Sequence, residues 1–184
     1  MEQVTLTPLI TPLIKYELRD YTPADARHIN ELALAAFEQY KCHYDNWEAF
    51  SANVAKFSDL AEVAEIVVAE DCAREIIGVV AYVPASIIKA EYFPENTPVI
   101  RVLAVSPKAR GLGLGKALSN ECIRRAIRDG NSRIALHTST IMEIALPMYL
   151  RMGFQWYGDA TPLFGVEYSV YAKSLTNATE RHTE

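Results

Sequence analysis

The residues from Val99 to Leu118 hold the clearest chemistry in this sequence. Val99-Ile100-Arg101-Val102-Leu103-Ala104-Val105 is an almost wholly apolar run. It breaks at Ser106-Pro107 and passes into the basic, glycine-spaced segment Arg110-Gly111-Leu112-Gly113-Leu114-Gly115-Lys116. A strand, a glycine loop and a helix N-terminus in that order make an anion site. Glycine lets a ligand approach the backbone closely, several N–H groups converge, and the helix dipole favours negative charge. The pattern predicts a ligand that carries phosphates.

Two common phosphate loops are not met. In G-x-x-x-x-G-K-[ST], Gly115-Lys116 would need a following hydroxyl, but Ala117 stands there, and the first glycine would fall on Arg110. The magnesium-binding hydroxyl is missing, which argues against an ATPase. In G-x-G-x-x-G, the third glycine falls on Lys116 or on Leu118, depending on the start, so a dinucleotide fingerprint fails as well.

The elements that must hold this loop follow from periodicity. Residues 1–14 contain Pro8 and Pro12 and read as an extended arm, and 176–184 read as a polar tail. Between them, residues 15–175 read as one domain. A short strand is expected around Tyr16–Arg19. Thr22-Pro23 then signals a helix start, and Ile29, Leu32, Ala33, Ala36 and Phe37 follow at helical spacing. A second helix should start at Asp45 or Asn46 and carry Trp47, Phe50, Val54 and Phe57. Strands over Ala64–Ala69 and Ile76–Val83 make a hairpin, and the apolar strand Val99–Val105 follows a longer loop. A helix is expected over Gly113–Asp129, ending at Gly130-Asn131. Then come a strand Arg133–Thr138, a helix Ile141–Met152, and a closing hairpin of Phe154–Tyr157 and Gly165–Lys173. The order β-α-α-β-β-β-α-β-α-β-β predicts an α/β fold with a mixed sheet, with Val99–Val105 and Arg133–Thr138 as parallel neighbours.

Composition narrows the class. The chain has 184 residues, half of them hydrophobic, and a formal charge of −5. That suits one ordinary core and argues against a general nucleic-acid binder. No apolar run reaches membrane-spanning length, and no signal peptide is read at the start, so no membrane partner is expected. Cys42, Cys72 and Cys122 form neither a close pair nor a disulfide framework, which points to a reducing, cytoplasmic setting. The four histidines show no metal-ligand spacing, so no metal is expected.

Arg110-Gly111-Leu112-Gly113-Leu114-Gly115 does match [QR]-x-x-G-x-[GA]. Placed after a strand ending Leu103-Ala104-Val105-Ser106-Pro107, it resembles the coenzyme A pyrophosphate loop of the GNAT superfamily of N-acetyltransferases. Ala145-Leu146-Pro147-Met148-Tyr149-Leu150-Arg151-Met152-Gly153-Phe154 is similar to that family's A-x-x-L-Y-x-x-x-G-F segment. With the element order, the resemblance covers about residues 16–174. Two features depart from it: Met142 stands where the family often has Asn, and Pro147 inside the helix predicts a kink.

The resemblance implies a GNAT-like fold with a splayed sheet, acetyl-CoA (or another acyl-CoA) as donor, and the primary amine of a small molecule as acceptor, by direct transfer in a ternary complex. A non-catalytic acyl-CoA-binding module, acting as a sensor or partner subunit, is the alternative. The implied cofactor site is Leu103, Val105, Arg110, Gly111, Leu112, Gly113, Gly115 and Lys116, with the Val105 N–H on the thioester carbonyl. Tyr149 matches the position of the acid that protonates the departing sulfur; a packing aromatic is the other reading. For the base, Glu91 and His137 are the candidates named first, with Glu38, Glu70, Glu95 and Glu143 behind them, and an amine that arrives deprotonated needs none. Arg101 alternates with Val102, which places it on one strand face with Leu103 and Val105. It is either a receptor for a substrate carboxylate or a stem packed on the sheet. Tyr40, Tyr44, Trp47, Tyr92 and Phe93 fall in segments that line the acceptor side in the family. Homodimers are common there, and the closing hairpin could join one.

Overall fold

A computed structural model describes residues 15–175, so the arm and the tail lie outside the described residues. Strand β1 (Tyr16–Asp20) leads through a short 3-10 turn, Pro23–Asp25, into α1 (Ala26–Phe37). The Thr22-Pro23 signal works as expected: the Asp25 carboxylate accepts the Thr22 N–H at 2.8 Å, and the Asp25 N–H returns to the Thr22 carbonyl at 2.9 Å. Helix α2 (Trp47–Val54) begins at Asn46, whose side chain accepts the Ala49 N–H at 3.0 Å. Phe57 belongs to a separate 3-10 segment, Phe57–Glu62. The hairpin β2 (Glu65–Asp71) and β3 (Ile76–Val83) is followed by β4 (Val99–Val105), α3 (Leu114–Arg128) and β5 (Arg133–Thr138). Helix α4 (Ala145–Arg151), β6 (Gln155–Leu163) and β7 (Val166–Ser174) complete the fold.

The seven strands form one sheet in the order β1-β2-β3-β4-β5-β7-β6, in which only β4 and β5 pair in parallel. Strict alternation along β2 divides its side chains between two layers. Ile66 and Val68 pack under α1 with Ile29, Ala33 and Ala36, while Val67 and Ala69 meet Leu114, Leu118, Cys122 and Ala126 of α3. A third cluster joins Phe50 of α2 to Val166, Tyr168 and Val170 of the closing hairpin.

Three local expectations need correction. Helix α4 begins at Ala145 rather than Ile141 and carries no mid-helix proline. Pro147 thus falls in the first turn, where an N–H has no helical partner anyway, and its missing donor is harmless. The closing strands are longer than predicted because Gly158 and Pro162 do not end β6. The strand lies at the sheet edge and absorbs them in two register shifts, between Trp156 and Gly158 and between Ala160 and Leu163. Phe164 and Gly165 turn the hairpin with positive φ (48° and 83°), the geometry that matches strand twist.

The third correction lies in β4. Ala81 pairs Arg101 and Val79 pairs Ala104, so one extra residue bulges there, and Val102 sits at φ 48°. A β-branched residue in that region is strained, and a bulge reverses side-chain alternation. Ile100 therefore faces α3, Val102 and Ala104 face α1, and Leu103 and Val105 face α3 again. Arg101 does not share a face with Leu103 and Val105.

Gly78 sets the height of α3 above the sheet. A Cβ at this position would come within 2.9 Å of both Leu114 Cδ2 and Leu118 Cδ1, which are themselves buried. Gly78→Ala is expected to overpack this contact and lower stability by about 1–3 kcal/mol. Urea unfolding checks it; an unchanged midpoint would show that α3 shifts freely.

Candidate active site

β4 and β5 pair only at Val99–Ala135 and Ile100–Leu136, and then part. Two cavities meet in the fork. The first, about 440 Å³, runs from the end of α1 to the loop before α3 and is lined by Leu103, Val105, Arg110, Gly111, Gly113, Gly115 and Lys116. The second, about 470 Å³, is lined by Arg101, His137, Tyr149 and the rings of Phe50, Phe57, Phe164 and Tyr168. Phe37, Leu103, Met142 and Ala145 border both.

In the first cavity the loop presents backbone donors without protein partners among the described residues. Gly111 and Gly113 hold φ of 79° and 76°, with nothing within 4 Å of where a Cβ would stand. Gly113 caps α3 without a side-chain bond, and no N–H from Gly111 to Lys116 donates to a protein acceptor among the described residues. Those donors and the helix dipole point into an open cradle. Gly115 is small for a different reason: a Cβ there would press on Met148 Sδ at 3.3 Å. Leu112, expected in this site, packs its side chain on the core and does not line the cavity. Arg110 reaches across the cavity, donating to Gln39 Oε1 at 3.0 Å and to the Ala36 carbonyl at 3.1 Å. Lys116 is exposed at the rim.

The fork also frees backbone. The Ser106 N–H donates to Ile77 on β3 at 2.9 Å. Successive N–H groups of an extended chain point to opposite sides, so those of Val105 and Leu103 point away from β3, toward the side that β5 has left.

Tyr149 is buried against the second cavity, edge-on to Phe154. Burial pushes the phenol well above its ordinary pKa and keeps its proton on. Ser119, which is also buried, donates to the Gly115 carbonyl at 2.8 Å.

His137 lies in the second cavity among Tyr92, Phe93 and Tyr168, at ring-centroid distances of 6.3, 5.6 and 5.1 Å. Its Nδ1 is buried without a partner. Burial first, and the nearby Arg101 charge second, push its pKa down to about 4. The structure does not bring Glu91 to this site. It is exposed in the loop between β3 and β4, which turns it away from both cavities. Glu38, Glu95 and Glu143 are exposed outside both cavities, and Arg19 and Arg74 hold Glu70 on β2, two strands away from β4. Burial raises the Cys122 thiol, which suits a core residue rather than a nucleophile.

The expected aromatics divide. Tyr40 lines the first cavity, Tyr44 bonds Tyr168 at 2.6 Å inside the core, and Tyr92 and Phe93 stand behind His137. Sequence reasoning missed Arg151 in the first cavity and Phe164, Tyr168 and Lys56 in the second. Arg151 reads as an ordinary C-terminal helix cation, and Phe164 as a turn residue.

Comparison with known proteins accords with this geometry. Residues 26–154 match the family model described as Acetyltransferase (GNAT) family. Rattus norvegicus N-acetyltransferase 8F1 is 33% identical over 86 residues, which span 47% of this chain and 38% of that protein. The aligned stretch is thus well under half of the relative's length. Among solved structures, an acetyltransferase of GNAT family from Staphylococcus aureus Mu50 aligns with TM-score 0.66 and 15% identity, covering 88% of this chain and all of that one. A Salmonella typhimurium protein solved with its cofactor acetyl-CoA aligns with TM-score 0.65 and 17% identity, over 89% of this chain and 95% of that one. With the family model covering well over half of the sequence, the chain belongs to the acetyltransferase (GNAT) family.

Proposed function

We propose that the protein moves the acetyl group of acetyl-CoA directly to the primary amine of a small molecule, with both substrates bound at once. One observation carries the reading. The cradle of uncommitted N–H groups at the start of α3 opens onto a fork whose other side is a second cavity. A pyrophosphate fits the cradle, and the free edge of β4 suits the amide-bearing arm that links it to a thioester. The neighbouring structure with acetyl-CoA supports that choice of donor.

The residues then divide the work. Backbone N–H groups from Gly111 to Lys116 hold phosphate, and Arg110 and Lys116 add charge. The Val105 N–H holds the oxygen that becomes negative as the amine attacks, a contribution of about 3 kcal/mol for a well-placed donor. When the carbon–sulfur bond breaks, Tyr149 gives its proton to the departing sulfur, and the proton that the nitrogen sheds in becoming an amide restores the phenol. The acceptor must lose a proton before attack. With its pKa near 4, His137 is too weak a base to drain an alkylammonium, so in this reading it contacts the acceptor and the proton leaves to water.

Three outcomes follow from this assignment. Acetyl-CoA at a hundred times its dissociation constant should stabilise the wild type by about 2.7 kcal/mol, roughly 5–10 °C in Tm. Gly113→Glu, which places a side chain and a negative charge at φ 76°, should abolish that shift with the fold intact by circular dichroism. No shift for the wild type at millimolar acetyl-CoA or CoA would sink the reading. Tyr149→Phe should lower kcat by about 10²–10⁴-fold across an amine panel and leave acetyl-CoA binding unchanged. Binding of acetyl-CoA without turnover of any amine would mark a binding module instead.

The third outcome concerns pH. Because the folded state depresses the His137 pKa from 6.5 to about 4, the unfolded chain binds the proton more readily between those values. This contribution is full above pH 6.5 and is lost as pH falls toward 4, about 3 kcal/mol in all. The stability difference between wild type and His137→Gln, followed by urea unfolding, should shrink by about that amount between pH 7 and pH 4. A difference independent of pH would show that His137 titrates normally.

A further inference from the structure

Among the described residues, the arginines that are buried or half-buried are Arg19, Arg101, Arg110 and Arg125. Arg19 is held by Asp25 and Glu70, Arg125 by Asp20, Glu65 and Glu121, and Arg110 by Gln39 and a helix carbonyl. Arg101 has no ion pair and no hydrogen bond among the described residues, and its Nε is buried without a partner. A buried guanidinium N–H left unmade is costly unless something else accepts it.

Its location says what that acceptor serves. Ile100 pairs Leu136 at the last rung before the fork, so the next residues, Arg101 and His137, stand side by side on the neighbouring strands and both line the second cavity. The bulge at Val102 keeps Arg101 on this side while Leu103 turns to the other. His137 Nδ1 is the other orphaned buried atom among the described residues. Two unmet polar groups thus line one cavity with the rings of Phe50, Phe57 and Phe164, while Thr138 and Tyr168, which also line it, already hold hydrogen bonds to Met142 and Tyr44. At the rim, Lys56 and Asp59 are exposed and offset one another in charge, and neither pairs with Arg101.

We infer that the acceptor is an amino acid-like amine with an apolar side chain, whose carboxylate binds Arg101 at the fork while its apolar body lies among Phe50, Phe57 and Phe164. This deepens the transferase reading and rests on it. The guanidinium meets a carboxylate with paired, charge-assisted bonds, and a neutral His137 donates or accepts beside it. The amine then lies next to Leu103, where the two cavities join. A site with a fixed charged donor rejects an analogue that lacks the acceptor group, because the donor is left unpaired.

Two product-like ligands test this, N-acetylphenylalanine and N-phenethylacetamide, which differ only in the carboxylate. Calorimetry on the full chain, with and without CoA, should show the first binding about 10- to 100-fold more tightly. Arg101→Gln should erase that preference and keep CoA binding, while Arg101→Lys should restore part of it. In turnover, phenylalanine should exceed phenethylamine in kcat/KM by a similar factor. Equal binding of the two ligands, binding of neither, or a preference that survives Arg101→Gln overturns the assignment. CoA binding is scored on its own: its failure removes the transferase reading, and the ligand pair still decides the carboxylate site on the free protein.

Discussion

The parting of β4 from β5 after two paired positions is the constraint on which the rest of the structure turns. A parallel pair in mid-sheet normally continues its ladder, and buried backbone groups left without partners are expensive. Here β4 keeps β3 on one side and β5 keeps β7 on the other, so each strand is held from outside while the space between them opens. The bulge at Val102 adds strain of about 1–3 kcal/mol to the same strand. Strain and unmet backbone concentrated in one place are the marks of a fold arranged around a ligand.

Helix α3 shows the same asymmetry along its own length. At its C-terminal end, Arg125 and Arg128 grip Glu65, Arg125 also reaches Asp20 and Glu121, and Asp129 takes the Tyr82 hydroxyl at 2.8 Å. That end is tied to β1, β2 and β3, and the cations also suit the helix dipole. At the N-terminal end nothing caps the helix, and Gly78 lets Leu114 and Leu118 sit low on the sheet. Anchoring one end so completely allows the other to hold its donors toward an open cavity without fraying.

Much of this was legible in the residues. Apolar runs and glycine stops gave β3, β4, α3 and β5 close to their true ends, and Gly111 and Gly113 do take the positive φ that their spacing suggested, because periodicity and positive-φ demands are local properties of a chain. What was not legible depends on context. Gly158 and Pro162 look like strand breakers, and only the edge position of β6 makes them tolerable. Pro147 looks like a kink until the helix start is known. Glu91 has the right chemistry in a loop that turns away from both cavities, and no local pattern carries that information.

The bulge is the most consequential of these context effects. Under strict alternation Arg101 would share a face with Leu103 and Val105 and would place its charge in the first cavity. One inserted residue separates them: apolar Leu103 and Val105 line the side that holds the glycine cradle, while Arg101 turns to the second cavity beside His137. A period-two pattern has no intermediate setting, so a single slip transfers a whole charge from one side of the sheet to the other. The two cavities therefore differ in kind, one offering backbone donors and the other a guanidinium amid rings. In the reaction proposed above, that difference would let one fork hold two unlike molecules without either competing for the other's place.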